Sequence, residues 1–168
     1  MRLFFALWPD ADAAGQLASV ASKLTLKSPA RLATTGNYHV TLAFLGEVAS
    51  PQLEKWRQIG RALSAPRCTI SFHSLEYWPD PKVVVAVARE PPAALLELWT
   101  QLRDAADLPA LSLRAHVTLA RKVAQAPVLQ AMSAIAWRAN SVSLVHSGTG
   151  GAESAYTVVD TWPLLYES

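Results

Sequence analysis

The strongest constraint on what this chain can fold into is a literal repeat. His39-Val40-Thr41-Leu42-Ala43 returns unchanged as His116-Val117-Thr118-Leu119-Ala120, 77 positions further on in a chain of 168 residues. An identical pentapeptide at that separation points to an internal duplication, with one copy in each half of the fold. The surroundings repeat too. Arg2 to Trp8 reads as a short buried strand, Asp10 as the cap of an alanine-rich helix to about Leu24, and Tyr38 to Leu45 as a strand closed by Gly46. In the second half Lys82 to Ala88 reads as a strand, Pro91 and Pro92 lead into a helix over Ala93 to Ala106, and Arg114 to Arg121 reads as a strand.

The echo extends beyond the pentapeptides. Thr25 to Asn37 is loop-like, Ser50 and Pro51 suit the cap and first turn of a helix to about Leu63, and Thr69 to Tyr77 reads as one strand ended by Pro79 and Pro81. Its counterpart is a short helix over Pro127 to Ile135 and a strand over Asn140 to Ser147. A last strand, Ser154 to Trp162, follows a loop with Gly148, Gly150 and Gly151. Strand, helix, strand, helix, strand thus occurs twice, and the length allows one domain over residues 1–168 built of two half-size lobes sharing a core.

Alternation along a strand puts His39 and Thr41 on one face and Val40 and Leu42 on the other, and the same holds for His116 and Thr118. Each copy therefore offers an apolar face for a core and a polar face with one imidazole and one hydroxyl. If the two strands adjoin, both pairs converge on one cleft. A lone strand histidine is ordinarily a packed structural residue; duplication on the less apolar face favours chemistry.

Three chemistries compete for such a pair. A catalytic zinc needs three protein ligands, and neither motif supplies a neighbouring carboxylate or thiolate; His73 and His146 belong to no repeat, so no metal is expected. A nucleophilic hydrolase would show an activated serine or cysteine, but there is no Gly-x-Ser-x-Gly and no activating motif around the single Cys68. Acid-base catalysis remains: imidazoles near pH 6.5 can share one proton at neutral pH, one accepting from water and one donating to a departing alkoxide, as displacement at phosphorus requires. The threonine hydroxyls can donate to the non-bridging oxygens.

Fifteen Lys and Arg against thirteen Asp and Glu leave a charge of only +2, which argues against gripping long duplex but permits a local phosphate site. The apolar run from Leu3 to Trp8 is stopped by Pro9 and Asp10, too short for a signal peptide, and no stretch is long enough to span a membrane. With one cysteine, a reducing, cytoplasmic setting is expected.

Paired His-x-Thr motifs about half a chain apart are the signature of the 2H phosphoesterase superfamily, which this sequence resembles along nearly its whole length. Within it, the 2′-5′ RNA ligase family, also described as RNA 2′,3′-cyclic phosphodiesterases, is the nearest likeness. Its opening strand looks like Arg2-Leu3-Phe4-Phe5-Ala6-Leu7-Trp8-Pro9, and its two motifs like His39 to Gly46 and His116 to Arg121. Tyr77-Trp78-Pro79-Asp80-Pro81-Lys82-Val83 and Trp162-Pro163-Leu164 are familiar as well. Departures are Val85 in place of a frequent Trp, Leu32 in place of a bulky or aromatic residue, and His146 in place of an acid or amide.

The resemblance implies an α+β fold of two pseudo-twofold lobes, each an antiparallel sheet facing a central cleft with helices outside. It implies opening of a 2′,3′-cyclic phosphate on an RNA end or nucleotide to a 2′-phosphate, without metal or other cofactor, and the reverse 2′-5′ joining. The catalytic residues would be His39, His116, Thr41 and Thr118, with His39 as acid and His116 as base by likeness. Substrate contacts are expected from Arg121, Arg31, Arg114 and Phe44. On an unbroken strand Arg121 would face away from His116 and Thr118, while Arg114 shares the His116 face and could pair with an acid such as Asp107. Trp8, Trp78 and Tyr156 could stack on a base, although core packing is the default for each. The expected partner is RNA or nucleotides, with no membrane, and the expected state is a monomer. Two other functions fit the same residues: a phosphodiesterase for another cyclic phosphate, such as an ADP-ribose derivative, and a non-catalytic RNA- or nucleotide-binding module.

Overall fold

The computed structural model describes residues 1–109, 112–148 and 156–165. Gly150, Gly151 and Ser154, assigned above to a loop and a strand start, lie outside them. The first half contains β1 (Arg2–Leu7), α1 (Ala11–Ser22), β2 (Arg31–Leu32), β3 (Val40–Glu47), α2 (Leu53–Ala62), β4 (Cys68–Phe72) and β5 (Ser74–Trp78). The second contains β6 (Val83–Val87), α3 (Ala93–Ala105), β7 (His116–Arg121), β8 (Ile135–Ala139), β9 (Ser141–Ser147) and β10 (Tyr156–Pro163).

Two four-stranded antiparallel sheets result, ordered β10-β9-β1-β3 and β2-β7-β6-β5, with a two-stranded ladder β4-β8 beside them. The halves exchange their ends. β5, from the first half, pairs with β6 of the second, while β9, from the second half, pairs with β1 of the first. The motif strands stand as counterparts, β3 beside β1 and β7 beside β6, and β3 lies against β7 across the gap between the sheets.

Helices cover the sheets by small or aliphatic stripes. Asp10 caps α1 by accepting from the Ala13 amide at 2.8 Å, and Ala13, Leu17 and Ala21 face inward at helical spacing. Leu95, Leu98 and Leu102 do the same from α3. One continuous buried cluster joins these residues to Leu3, Phe5, Val40, Leu42, Val117 and Leu119.

Gly60 in α2 packs directly under the Trp162 indole, where a methyl group would collide with the ring. Gly60→Ala is therefore expected to lower stability by about 1 to 3 kcal/mol despite alanine's better helix propensity. A lower midpoint in urea with an unchanged slope checks it.

Four expectations need correction. Residues 127–134 form no helix: the segment is too short to sustain one alone, and Ile135 enters β8 opposite Phe72, so the chain runs without regular structure, with Leu129 and Met132 as anchors and Val128 in solvent. Thr69 to Tyr77 is two strands, because the chain leaves the β4-β8 ladder at His73 and continues in another sheet. Ser50 is not a helix cap; it opens a 3-10 turn, Ser50–Gln52, that runs into α2, and Ala49 holds the cap position. The loop before the first motif contains β2, which adds a strand to β7.

Candidate active site

Both motif strands carry the same irregularity. In β3, Phe5 and Ala6 pair with Ala43 and Thr41, which leaves Leu42 without a partner; in β7, Val84 and Val85 pair with Ala120 and Thr118, which leaves Leu119 without one. A bulge shifts side-chain alternation by one residue. Leu42 and Ala43 are consequently both buried, as are Leu119 and Ala120, and the next residue, Phe44 in one half and Arg121 in the other, turns out with the His and Thr. The unbroken alternation that would have turned Arg121 away does not occur.

A cleft of about 350 Å³ lies between the two sheets. Arg2, Phe4, His39, Thr41, Phe44, Ser147 and Tyr156 line it from the first sheet. Trp78, Pro81, Val83, His116, Thr118 and Arg121 line it from the second. Both His/Thr pairs, Phe44 and Arg121 are thus brought together. Arg31 is the cross-strand partner of Arg121 but lies outside the cleft lining, and Arg114 stands on an adjoining groove. Arg114 pairs with Glu76 at 2.9 Å, not with Asp107, and its guanidinium lies 4.4 Å from the Trp78 ring centre.

Sequence reasoning missed Arg2, Phe4, Pro81, Val83 and Ser147. The signal was alternation in the opening strand: Leu3, Phe5 and Leu7 enter the main core, while Phe4 and Ala6 form a separate buried cluster with Val145, Trp8 and Tyr156 on the other face. Of the departures noted above, Val85 is fully buried between Glu76 and Thr118 in register, and Leu32 is 43% exposed on β2. His146 pairs with Leu3 and so sits on the sheet face opposite the cleft.

The two imidazoles are held alike. His39 Nδ1 is 2.7 Å from the Asn37 carbonyl, and His116 Nδ1 is 2.6 Å from the Arg114 carbonyl, two residues back in each case. A carbonyl oxygen only accepts, so each Nδ1 carries a proton and donates it. Each Nε2 is left as the nitrogen outside that bond, a lone pair in the neutral ring and a donor in the cation. Ring contacts fix the planes: Phe4, Trp8 and Tyr156 surround His39 with centroids 5.1, 5.3 and 5.0 Å away, and Trp78 lies 4.6 Å from His116.

Burial lowers both proton affinities. His39 is pushed down to about 4, by desolvation first and then by Arg121 and His116, against the upward pull of the Asn37 carbonyl. His116 is also lowered, by burial and by Arg114 and Arg121, while the Arg114 carbonyl and Glu76 pull it upward. Burial thus favours the neutral form of both rings more than in an unperturbed imidazole. Among the described residues Arg121 has no carboxylate partner, which leaves its charge for an anion. No group of three or more His, Cys, Asp or Glu among the described residues could hold a metal ion. No helix among them is long and apolar enough to cross a membrane.

A cleft between two antiparallel sheets, with one His-x-Thr from each, is the arrangement that the resemblance to 2H phosphoesterases implied. Residues 7–87 match the family of LigT-like phosphoesterases. The chain is 25% identical to the RNA 2′,3′-cyclic phosphodiesterase of Escherichia coli K12 over 97% of its length and 96% of that protein's. It superposes on a crystal structure of a phosphoesterase with a TM-score of 0.89 at 25% identity, covering 97% of both chains. E. coli LigT complexed with 3′-AMP gives 0.88, again at 25% identity and 97% of both. The chain is thus similar to the LigT-like phosphoesterases over residues 7–87 and to RNA 2′,3′-cyclic phosphodiesterase over nearly its whole length.

Proposed function

We propose that the protein hydrolyses the 2′,3′-cyclic phosphate of RNA ends or nucleotides to a 2′-phosphate, with His39 and His116 as the acid-base pair and no metal, and that it can run the reverse 2′-5′ joining. The observation that carries this is the pair of Nδ1-anchored imidazoles lining one cleft. One Nε2 takes a proton from water as its oxygen attacks phosphorus. The P–O3′ bond breaks, and the other ring, as imidazolium, protonates the leaving alkoxide. In-line displacement puts the two rings on opposite sides of the phosphorus. Thr41 and Thr118 donate to the non-bridging oxygens as charge builds, and Arg121 attracts the anion. Phe44, half-exposed at 50%, offers a face to the base. Arg31, opposite Arg121 on β2, adds positive charge beside the cleft, and Arg114 holds the Trp78 side of its rim. We further propose that the chain works as one domain of intertwined lobes, a monomer, in the cytoplasm.

The acid-base order is the finer point. His39 as acid follows from likeness alone, whereas Glu76 eases protonation of His116 and no carboxylate does so for His39. A bound phosphate next to His39 would favour its imidazolium. A substrate with an activated 3′ leaving group decides: it partly rescues the variant lacking the acid.

The pH dependence follows from the lowered affinities. Activity needs one ring neutral and one protonated, so kcat/KM falls as pH rises above the higher free-enzyme pKa and falls again below the lower one. Because both are lowered, with His39 at about 4, the kcat/KM maximum is expected on the acid side of 6.5. An anionic phosphate favours the imidazolium, so the kcat maximum should lie at higher pH. Profiles of both parameters check it; coincident maxima above neutrality contradict it.

The reaction is tested with the four nucleoside 2′,3′-cyclic monophosphates in EDTA, the product read by phosphorus NMR. Turnover to a 2′-phosphate is expected; a 3′-phosphate reverses the substrate orientation. Turnover only of a cyclic phosphate derived from ADP-ribose, binding without turnover, or rescue by a divalent ion would each replace this reading.

A further inference from the structure

We propose that the groove running from the His116 side of the cleft holds the nucleotides that precede the cyclic end of a single-stranded RNA, so that oligonucleotides are preferred over mononucleotides. The proposal rests on the reading of the reaction given above. The groove encloses about 450 Å³ and is continuous with the cleft, since Thr41, Phe44, Trp78 and His116 line both. Beyond them its walls include Trp99 and Arg103 of α3 together with Leu113 and Arg114.

Its chemistry is that of a single-strand track. Three arginine-aromatic stacks mark it: Arg2 over Phe44 at 5.3 Å and Arg114 over Trp78 at 4.4 Å at the mouth, and Arg103 over Trp99 at 5.1 Å in the groove alone. Guanidinium planes and aromatic faces both stack unpaired bases. Glu76 and Asp104 hold the two groove arginines, at 2.9 and 2.7 Å, which sets the planes before a ligand arrives. A strand ending in a 2′,3′-cyclic phosphate has nucleotides only on its 5′ side. With the phosphate between the histidines, those nucleotides must leave the cleft, and this groove adjoins it with stacking surfaces already built.

The test compares kcat/KM for a nucleoside 2′,3′-cyclic monophosphate with that for a short oligonucleotide ending in the same cyclic nucleotide, in wild type, Trp99→Ala and Arg103→Glu. The oligonucleotide should be favoured by about tenfold or more, the scale of one stacked base, and each variant should lose that preference while the mononucleotide value stays unchanged. Equal use of both substrates by wild type overturns the groove and leaves the reaction standing, as does a preference that survives both variants or an equal loss on both substrates. If neither substrate turns over, the reading of the reaction fails instead. Binding of a labelled oligonucleotide with a 3′-terminal phosphate then reads the groove: affinity equal to that of the mononucleotide, or unchanged in Arg103→Glu, overturns it.

Discussion

His39→Ala and His116→Ala are each expected to lower kcat on a 2′,3′-cyclic nucleotide by about a hundredfold to ten-thousandfold, the contribution of one positioned general acid or base. Each ring presents Nε2 to the cleft because its Nδ1 is tied to the carbonyl two residues back in the chain. Alanine at 39 also leaves a hole among Phe4, Trp8 and Tyr156, so His39→Asn, which keeps much of the volume, separates lost chemistry from lost packing. Both substitutions at each position should give the same loss of kcat, while the thermal midpoint falls more for His39→Ala than for His39→Asn. A folded variant retaining near wild-type turnover would remove that histidine from the mechanism.

The next largest effect should come from the hydroxyls. Thr41→Val and Thr118→Val keep side-chain shape and delete one donor, which costs about 2 to 4 kcal/mol of transition-state stabilisation at most, or from about thirtyfold to a thousandfold in rate. The loss should fall on kcat more than KM, because the hydrogen bond strengthens as charge develops on the non-bridging oxygen. Thr→Ser should restore most of it. A loss confined to KM would mean that the threonines only bind the ground state.

Much of this was legible because duplication writes itself twice. The repeated pentapeptide located the strands, their counterpart positions and all four polar side chains of the cleft centre. The bulges at Leu42 and Leu119 were not legible, since a bulge is a property of the pairing register and the partner strands β1 and β6 carry no mark of it. That hidden shift is what brings Arg121 and Phe44 to the histidine face. The symmetry also misled: α2 suggested a second helix at Pro127, but Ile135 and Trp137 were needed against Phe72 in the β4-β8 ladder, and tertiary pairing overrode local propensity. Glu76, which holds Arg114 and bears on His116, stands 38 residues from that arginine, beyond what a local pattern reveals.

The central claim, that two histidines share acid and base roles on one phosphate, is tested most directly by the pH profile of kcat/KM in wild type and in the two single histidine variants, with EDTA present. The account predicts a bell for wild type and the loss of one limb in each variant, the acid limb when the base is removed and the alkaline limb when the acid is removed. A bell that survives intact in either variant would contradict it.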